Sequence, residues 1–480
     1  MTVASGPPPG SGSQRPSLAK ALYAVLSYAL LVHILLGLLR PPQRQAPMAL
    51  RPRSGAPGAL TAEGGADDLF APMAELVLPH GYPLEEHFVT TADGFVLRVF
   101  RIAHGAANRS IAAGAAPRAP RPVALLQHAL MDSSAGWVLL GRRALAFQLV
   151  DAGFDVWLTN SRGNRYSRNH TRLDPDADPA FWEWTWADKA DFDLPAVAEH
   201  VEAVTGQRRL VLMGYSQGSM MGLAALSSQP DFATRVSLAV LFVPVAYTRH
   251  ISSWPFVALA RAGLDRAAIA IGWREWGTYS PGYVARAQRV CGWLPVLCEL
   301  YLTSVCGANP NGNLAPETLL RLMGHLPVGT SVRNMAHWSQ AIRRRGEGGL
   351  LRYDHGTDCS GGRDCNRRAY GADRPPAFNL TAITTPLALF TGDRDALSPP
   401  ADVALLTASL APGVLVAHHA HPDYAHLDFL VGADAPQAAY PAAVRLAARA
   451  AASGSAAQRG ACQRVSGGSK CGSGAAAAAA

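Results

Sequence analysis

The chain is expected to fold as a mostly parallel β-sheet with helices on both faces and a large inserted helical cap, an α/β architecture. Three observations lead there. Short apolar runs alternate with helical stretches, the pattern of parallel strands joined by crossover helices. The pentapeptide Gly214-Tyr215-Ser216-Gln217-Gly218 lies directly between one such run and a helix-like segment. A long stretch rich in Trp, Leu and Tyr separates the run ending near Val245 from the next one at Pro386.

The elements follow in order. EEHFVTTADGFVLRVFRI, 85–102, reads as a hairpin turned at Asp93-Gly94. PVALLQHA, 122–129, is a compact apolar run that suits a strand covered on both faces. Residues 136–152 are expected to form a crossover helix into the strand FDVWLTNS, 154–161. A helical stretch over 181–204 leads to the strand RLVLMGYS, 209–216, and SMMGLAALSS, 219–228, continues as a helix. SLAVLFVPVA, 237–246, PLALFTGDRD, 386–395, and VLVAHHA, 414–420, complete the sheet. The core therefore comprises 73–245 and 380–451. Residues 246–379 form the cap over the carboxyl edge of the sheet, divided at CGANPNGN, 306–313.

The ends read differently. Residues 1–20 are Pro/Gly/Ser-rich and expected to be disordered. Residues 21–39, ALYAVLSYALLVHILLGLL, carry no formal charge and as a helix would span about 28 Å, close to a bilayer core. The span runs into LLRPP without a small-residue cleavage site, which favours a single-pass anchor over a signal peptide. Arg40, Arg44, Arg51 and Arg53 after the span argue for a cytoplasmic bulk. Sequons at Asn108, Asn169 and Asn379 argue weakly the other way. Residues 40–72 read as a linker, and 452–480 as a low-complexity tail outside the fold.

Composition narrows the function classes. The 480 residues are 49% hydrophobic and 16% charged, enough apolar material for a substantial core. The net charge of +8 is spread without a dense basic block, which argues against a nucleic-acid partner. Seven cysteines without a CxxC pair exclude a cysteine-dense scaffold and signal neither a zinc ribbon nor an iron–sulfur site. Cys291, Cys298 and Cys306 cluster, as do Cys359 and Cys365. Each cluster either supplies one disulfide in an oxidising compartment or holds buried thiols.

The chemistry centres on Ser216. A serine on a tight strand-to-helix turn needs small residues on both sides, projects its hydroxyl above the sheet, and aims the next N–H, that of Gln217, at an oxyanion. A serine hydroxyl becomes nucleophilic only when a histidine takes its proton. In sheets with such a turn the acid follows the serine and the histidine comes last. Asp395, at the end of the 386–395 strand, is preferred to Asp393. Among His418, His419, His421 and His426, the last is preferred because it lies on a loop entering a helix. The second oxyanion donor is expected from the loop after 122–129, with Leu130 the best placed, and His128 is read as a residue that orders this loop. This chemistry needs no metal or cofactor.

With these residues in view, the chain resembles the acid lipase family of α/β-hydrolases, which includes gastric and lysosomal acid lipases and membrane-anchored sterol esterases. The resemblance covers roughly residues 73–449. It rests on HGYPLEEHFVTTADGFVLRVFRI, LLQHALMDSSAGW, GFDVWLTNSRGN, FWEWTWADKADFDLPA, GYSQGSMMG, GTSVRNMAHWSQ, PPAFNLTAITTPLALFTGDRDALSPPADV and YAHLDFLVGADAPQAAY. It implies Ser216 as nucleophile, Asp395 as acid, His426 as base, and Leu130 and Gln217 as oxyanion donors. It also implies a disulfide like Cys291–Cys298 in the lid. Two departures stand out. His128-Ala129 replaces the family's His-Gly, and Ala396-Leu397-Ser398-Pro399-Pro400 lacks the usual aspartate. The implied activity is hydrolysis of long-chain esters of neutral lipids, triacylglycerol or steryl ester, at a membrane or droplet surface. An anchored chain is expected at the endoplasmic reticulum or lipid droplets, and a cleaved signal would mean secretion or the lysosome. The rival readings are a lipid acyltransferase using the same residues, an esterase of small soluble esters, and an inactive membrane-tethered scaffold.

Overall fold

The computed structural model describes residues 71–105, 120–360 and 365–465. The apolar span 21–39, most of the expected linker and the sequon at Asn108 lie outside the described residues.

Among the described residues ten strands occur in chain order: β1 Glu85–Thr90, β2 Val96–Ile102, β3 Val123–Gln127, β4 Asp155–Leu158, β5 Leu210–Tyr215, β6 Val236–Phe242, β7 Glu275–Trp276, β8 Thr330–Ser331, β9 Leu387–Gly392 and β10 Leu415–His421. Eight of them form one sheet in the order β1-β2-β4-β3-β5-β6-β9-β10. β1 and β2 pair antiparallel, as do β2 and β4, and the remaining pairs are parallel. β7 and β8 form a separate two-residue ribbon in the insertion.

Side-chain alternation decides what each face holds. Leu126, Val211, Met213, Val240 and Phe242 pack on one side with Phe147 and the carboxyl-terminal helix. Leu125, Leu210, Leu212, Ala239 and Leu241 pack on the other with Trp157 and Met221. Covering on both faces explains why β3, β5 and β9 are buried at every position, a continuous apolar run in the sequence. The edge strand β10 is covered on one face only and alternates accordingly.

Several local expectations change. The crossover expected over 136–152 begins as two short 3-10 turns, and its α-helix covers only Leu145–Asp151. Gly141 takes a left-handed φ of 57° there, which interrupts an α-helix. The stretch expected to be helical over 181–204 is broken as well. A 3-10 turn at Pro179–Trp182 and a short helix Trp186–Asp188 capped by Thr185 precede a π-turn Lys189–Asp193 and the helix Leu194–Thr205. The region read as a tail from residue 452 is partly helical, because the helix Tyr440–Val465 runs through it. Its first turns bury Tyr440, Ala443 and Ala447 against the sheet, and alanine-rich sequence propagates a helix readily once it is nucleated.

The insertion is helical, with segments Trp254–Arg261, Leu264–Ala270, Pro281–Trp293, Pro295–Cys306, Pro316–His325 and Val332–Arg343. Pro281, Pro295 and Pro316 start their helices, where a missing N–H costs nothing. Cys291 is bonded to Cys298 and Cys359 to Cys365, while Cys306 stays a buried free thiol. Among the described residues no single helix is long and apolar enough to cross a membrane. One pair, Pro281–Trp293 with Pro295–Cys306, reaches that length and composition only across a bend of 110°.

Candidate active site

β5 ends at Tyr215 and the helix Gln217–Ser228 begins two residues later, so Ser216 carries the whole change of direction. It does so with φ 53° and ψ −115°, a strained conformation for a residue with a side chain. The turn closes because Gly214 and Gly218, two residues away on either side, have no side chain. A Cβ on Gly214 would lie 2.8 Å from the Gly218 carbonyl, and a Cβ on Gly218 would lie 2.4 Å from the Gln127 oxygen. Ser216 N–H donates to the Phe242 carbonyl at 3.0 Å, tying the turn to β6.

Three side chains meet above this edge of the sheet. The Ser216 Oγ lies 2.8 Å from His426 Nε2, and His426 Nδ1 lies 2.7 Å from Asp395 Oδ2. Each residue is about 3% exposed, so water does not compete for these bonds. The other Asp395 oxygen accepts from Leu397 N–H at 2.7 Å and Ser398 N–H at 2.8 Å. The departure at Ala396-Leu397-Ser398 thus keeps two backbone donors on the carboxylate. Asp393 is exposed, and its N–H donates to His421 O. His418, His419 and His421 belong to β10, against Thr391, Phe390 and Tyr424 respectively.

Leu130 and Met131 follow β3 and face the same space. The left-handed φ in this loop falls on Met131, at 55°, and Ala129 needs none, so its Cβ is tolerated where the family has glycine. His128 is buried, and burial together with the nearby Lys189 charge pushes its pKa down to about 3. The neutral ring donates from Nδ1 to Ala129 O at 2.7 Å and accepts Ser161 N–H at Nε2 at 3.0 Å. With both ring nitrogens engaged by main chain, it orders the loop. Asp132, also buried, has its pKa raised to about 7 by desolvation, against the Ser133 N–H that donates to its Oδ1 at 2.7 Å. Gln217 opens its helix, so its N–H has no acceptor one turn back within that helix.

Ser216 and His426 open onto a cavity walled by Leu130, Phe256, Tyr301, Trp338, Leu397 and Leu430. Its surface is mainly apolar, which suits a hydrocarbon chain. Among the described residues no group of three or more His, Cys, Asp or Glu side chains could hold a metal ion. Chemically, a carboxylate on Nδ1 leaves Nε2 free to accept the hydroxyl proton and holds the resulting imidazolium.

Comparison with known proteins gives the lineage. Residues 73–141 match the partial α/β-hydrolase lipase region, and 122–256 match the α/β-hydrolase fold. Bovine (Bos taurus) gastric triacylglycerol lipase is 35% identical over 379 residues, covering 78% of this chain and 91% of its own. Human (Homo sapiens) lysosomal acid lipase/cholesteryl ester hydrolase is 34% identical over 377 residues, with 78% and 90% covered. The chain belongs to the acid lipase family of α/β-hydrolases. Mouse (Mus musculus) lipase member K is similar to the same extent, 34% over 378 residues.

Two supports of this acid lipase site escape a reading of the sequence. The Tyr215 hydroxyl, from the position just before Ser216, donates to the His426 carbonyl. Cys306 O, at the end of a cap helix, accepts N–H from both His426 at 3.1 Å and Ala396 at 3.2 Å. Both tie distant parts of the chain to the histidine loop, and no local pattern announces them.

Proposed function

We propose that this acid lipase hydrolyses long-chain carboxylic esters of neutral lipids, triacylglycerol or steryl ester, through an acyl-enzyme on Ser216. The reading rests on the unbroken line from Asp395 through His426 to Ser216, which ends at an apolar cavity. His426 Nε2 takes the Ser216 proton as Oγ attacks the ester carbonyl. Asp395 holds the imidazolium, and the N–H groups of Leu130 and Gln217 hold the oxyanion. His426 then protonates the departing alcohol, and water, deprotonated by the same nitrogen, releases the fatty acid. The test is turnover of matched triacylglycerol and steryl-ester emulsions by wild type and Ser216→Ala, with fluorophosphonate labelling. Loss of both turnover and label in the variant is expected. Retained turnover refutes the assignment.

We also infer that the enzyme works at a lipid surface, held there by 21–39 as a membrane anchor. The cap supports this with an apolar tip between two of its helices, where Trp293 is 87% exposed, Leu294 55% and Val296 69%. The two disulfides support residence of the catalytic part in an oxidising lumen. Carbonate extraction and protease protection of the full chain in microsomes check both points. A soluble, protease-sensitive catalytic part overturns them.

A further inference from the structure

The cap touches the reaction centre at more than the cavity wall. Gln217 presents its side-chain oxygen to the helix Val332–Arg343, and two donors from that helix fill it. Asn334 Nδ2 approaches at 2.9 Å and Trp338 Nε1 at 2.8 Å. Gln217, Asn334 and Trp338 are all at most 2% exposed. Asn334 and Trp338 are four residues apart, so they share one helix face. Asn334 is itself held, its N–H on Ser331 Oγ at 2.8 Å and its Nδ2 also on Thr330 Oγ1 at 3.0 Å. Ser331 Oγ in turn donates to Trp184 O at 2.6 Å, outside the cap. The same stretch also reaches the loop after β3. Val328 N–H donates to Met131 O at 3.2 Å, the residue after Leu130, while Val328 O accepts Arg165 N–H at 2.8 Å.

We infer that cap residues 328–338 position the oxyanion hole, with Asn334 and Trp338 acting through the Gln217 side chain and Val328 through the Met131 carbonyl. The inference rests on the proposed roles of Leu130 and Gln217. Each of those N–H groups lies within one residue of a cap contact. An amide oxygen with both lone pairs occupied holds the buried Gln217 side chain in one orientation, and that restrains the first residue of its helix, whose N–H faces the hole. The hole therefore exists in working form only while this part of the cap is seated. A shift of the helix Val332–Arg343 disables the chemical step as well as changing access to it. Trp338 has two separable jobs, since its ring walls the cavity and its Nε1–H holds Gln217.

The test uses the full chain and a soluble p-nitrophenyl ester. Trp338→Phe keeps an aromatic wall and removes the donor, Asn334→Ala removes the other donor, and Gln217→Met removes the acceptor while keeping the main-chain N–H. Trp338→Phe is expected to lower kcat about tenfold with KM within about twofold, a fraction of what loss of a whole oxyanion donor costs. A trifluoromethyl ketone, whose hemiketal oxygen occupies the hole, is expected to weaken in step with kcat. In the Gln217→Met background the same Trp338 substitution is expected to cost less than about twofold, and the Asn334 cycle to show the same coupling. An undiminished loss in that background, or a raised KM with intact kcat, makes Trp338 a wall only and overturns the inference. Thermal melts of each variant separate unfolding from misplacement. Should Trp338→Phe fail to fold, the Asn334 and Gln217 cycle decides alone. Retained turnover in Ser216→Ala would instead overturn the underlying function.

Discussion

Replacing Gly218 by alanine tests the turn at the centre of the site. Alanine in a helix normally stabilises by about 1 kcal/mol relative to glycine. Here the new Cβ would lie 2.4 Å from Gln127 O and 2.7 Å from His128 O, both backbone atoms at the end of β3. Neither can rotate away, so β3 and the start of the helix Gln217–Ser228 must separate by most of an ångström. Overpacking of this kind costs about 1–3 kcal/mol. The separation also parts Leu130 from Gln217, and a misplacement near 1 Å costs about a hundredfold in rate. Gly218→Ala is therefore expected to lower kcat on a soluble ester about a hundredfold, with a small change in KM and a lower denaturation midpoint. Gly222→Ala in the same helix is the control. Its Cβ would meet only the ends of Leu212 and Leu241 side chains, at 3.1 and 3.7 Å, and kcat should hold. A Gly218→Ala enzyme with kcat within threefold of wild type and an unchanged melt would refute the packing argument.

Other expectations follow from the same geometry. Asp395→Asn keeps the shape but puts an amide where His426 Nδ1 needs an acceptor, so kcat on a soluble ester should fall about a thousandfold or more at unchanged substrate affinity, measured by steady-state kinetics. Tyr215→Phe strands the buried His426 carbonyl and should cost about 1–3 kcal/mol in chemical denaturation, along with reduced kcat. Asp132, with its native pKa raised to about 7, binds a proton in the folded state that the unfolded chain has already lost above about 4. Its contribution to stability is full below that range and declines as pH rises towards 7. Asp132→Asn should remove this decline and gain up to about 4 kcal/mol at pH 8, read from denaturation curves at pH 5 and 8. His128 imposes the opposite slope, losing stability as pH falls from 6.5 towards about 3, so the difference between variant and wild type is the informative quantity.

Much of this molecule is legible in its sequence because the relevant constraints are local. A strand covered on both faces must be apolar over most of its length, which marks β3, β5 and β9. A chain that reverses direction at Ser216 must lack side chains at Gly214 and Gly218, which marks the serine. Element interiors are therefore readable, while the left-handed φ at Gly141 and the π-turn at Lys189–Asp193 break them where the hydrophobic period gives no sign. Choosing among four histidines and two aspartates already strains local evidence. His418, His419, His421 and His426 lie close in sequence, and only the assembled sheet sets His426 above Ser216 and the others along an edge strand. Tyr215 on His426, Cys306 on the histidine loop, and Asn334 with Trp338 on Gln217 were decided by tertiary structure alone. Each joins residues more than a hundred positions apart, and a hydrogen bond of that reach leaves no periodicity, spacing or turn signal in either partner's neighbourhood.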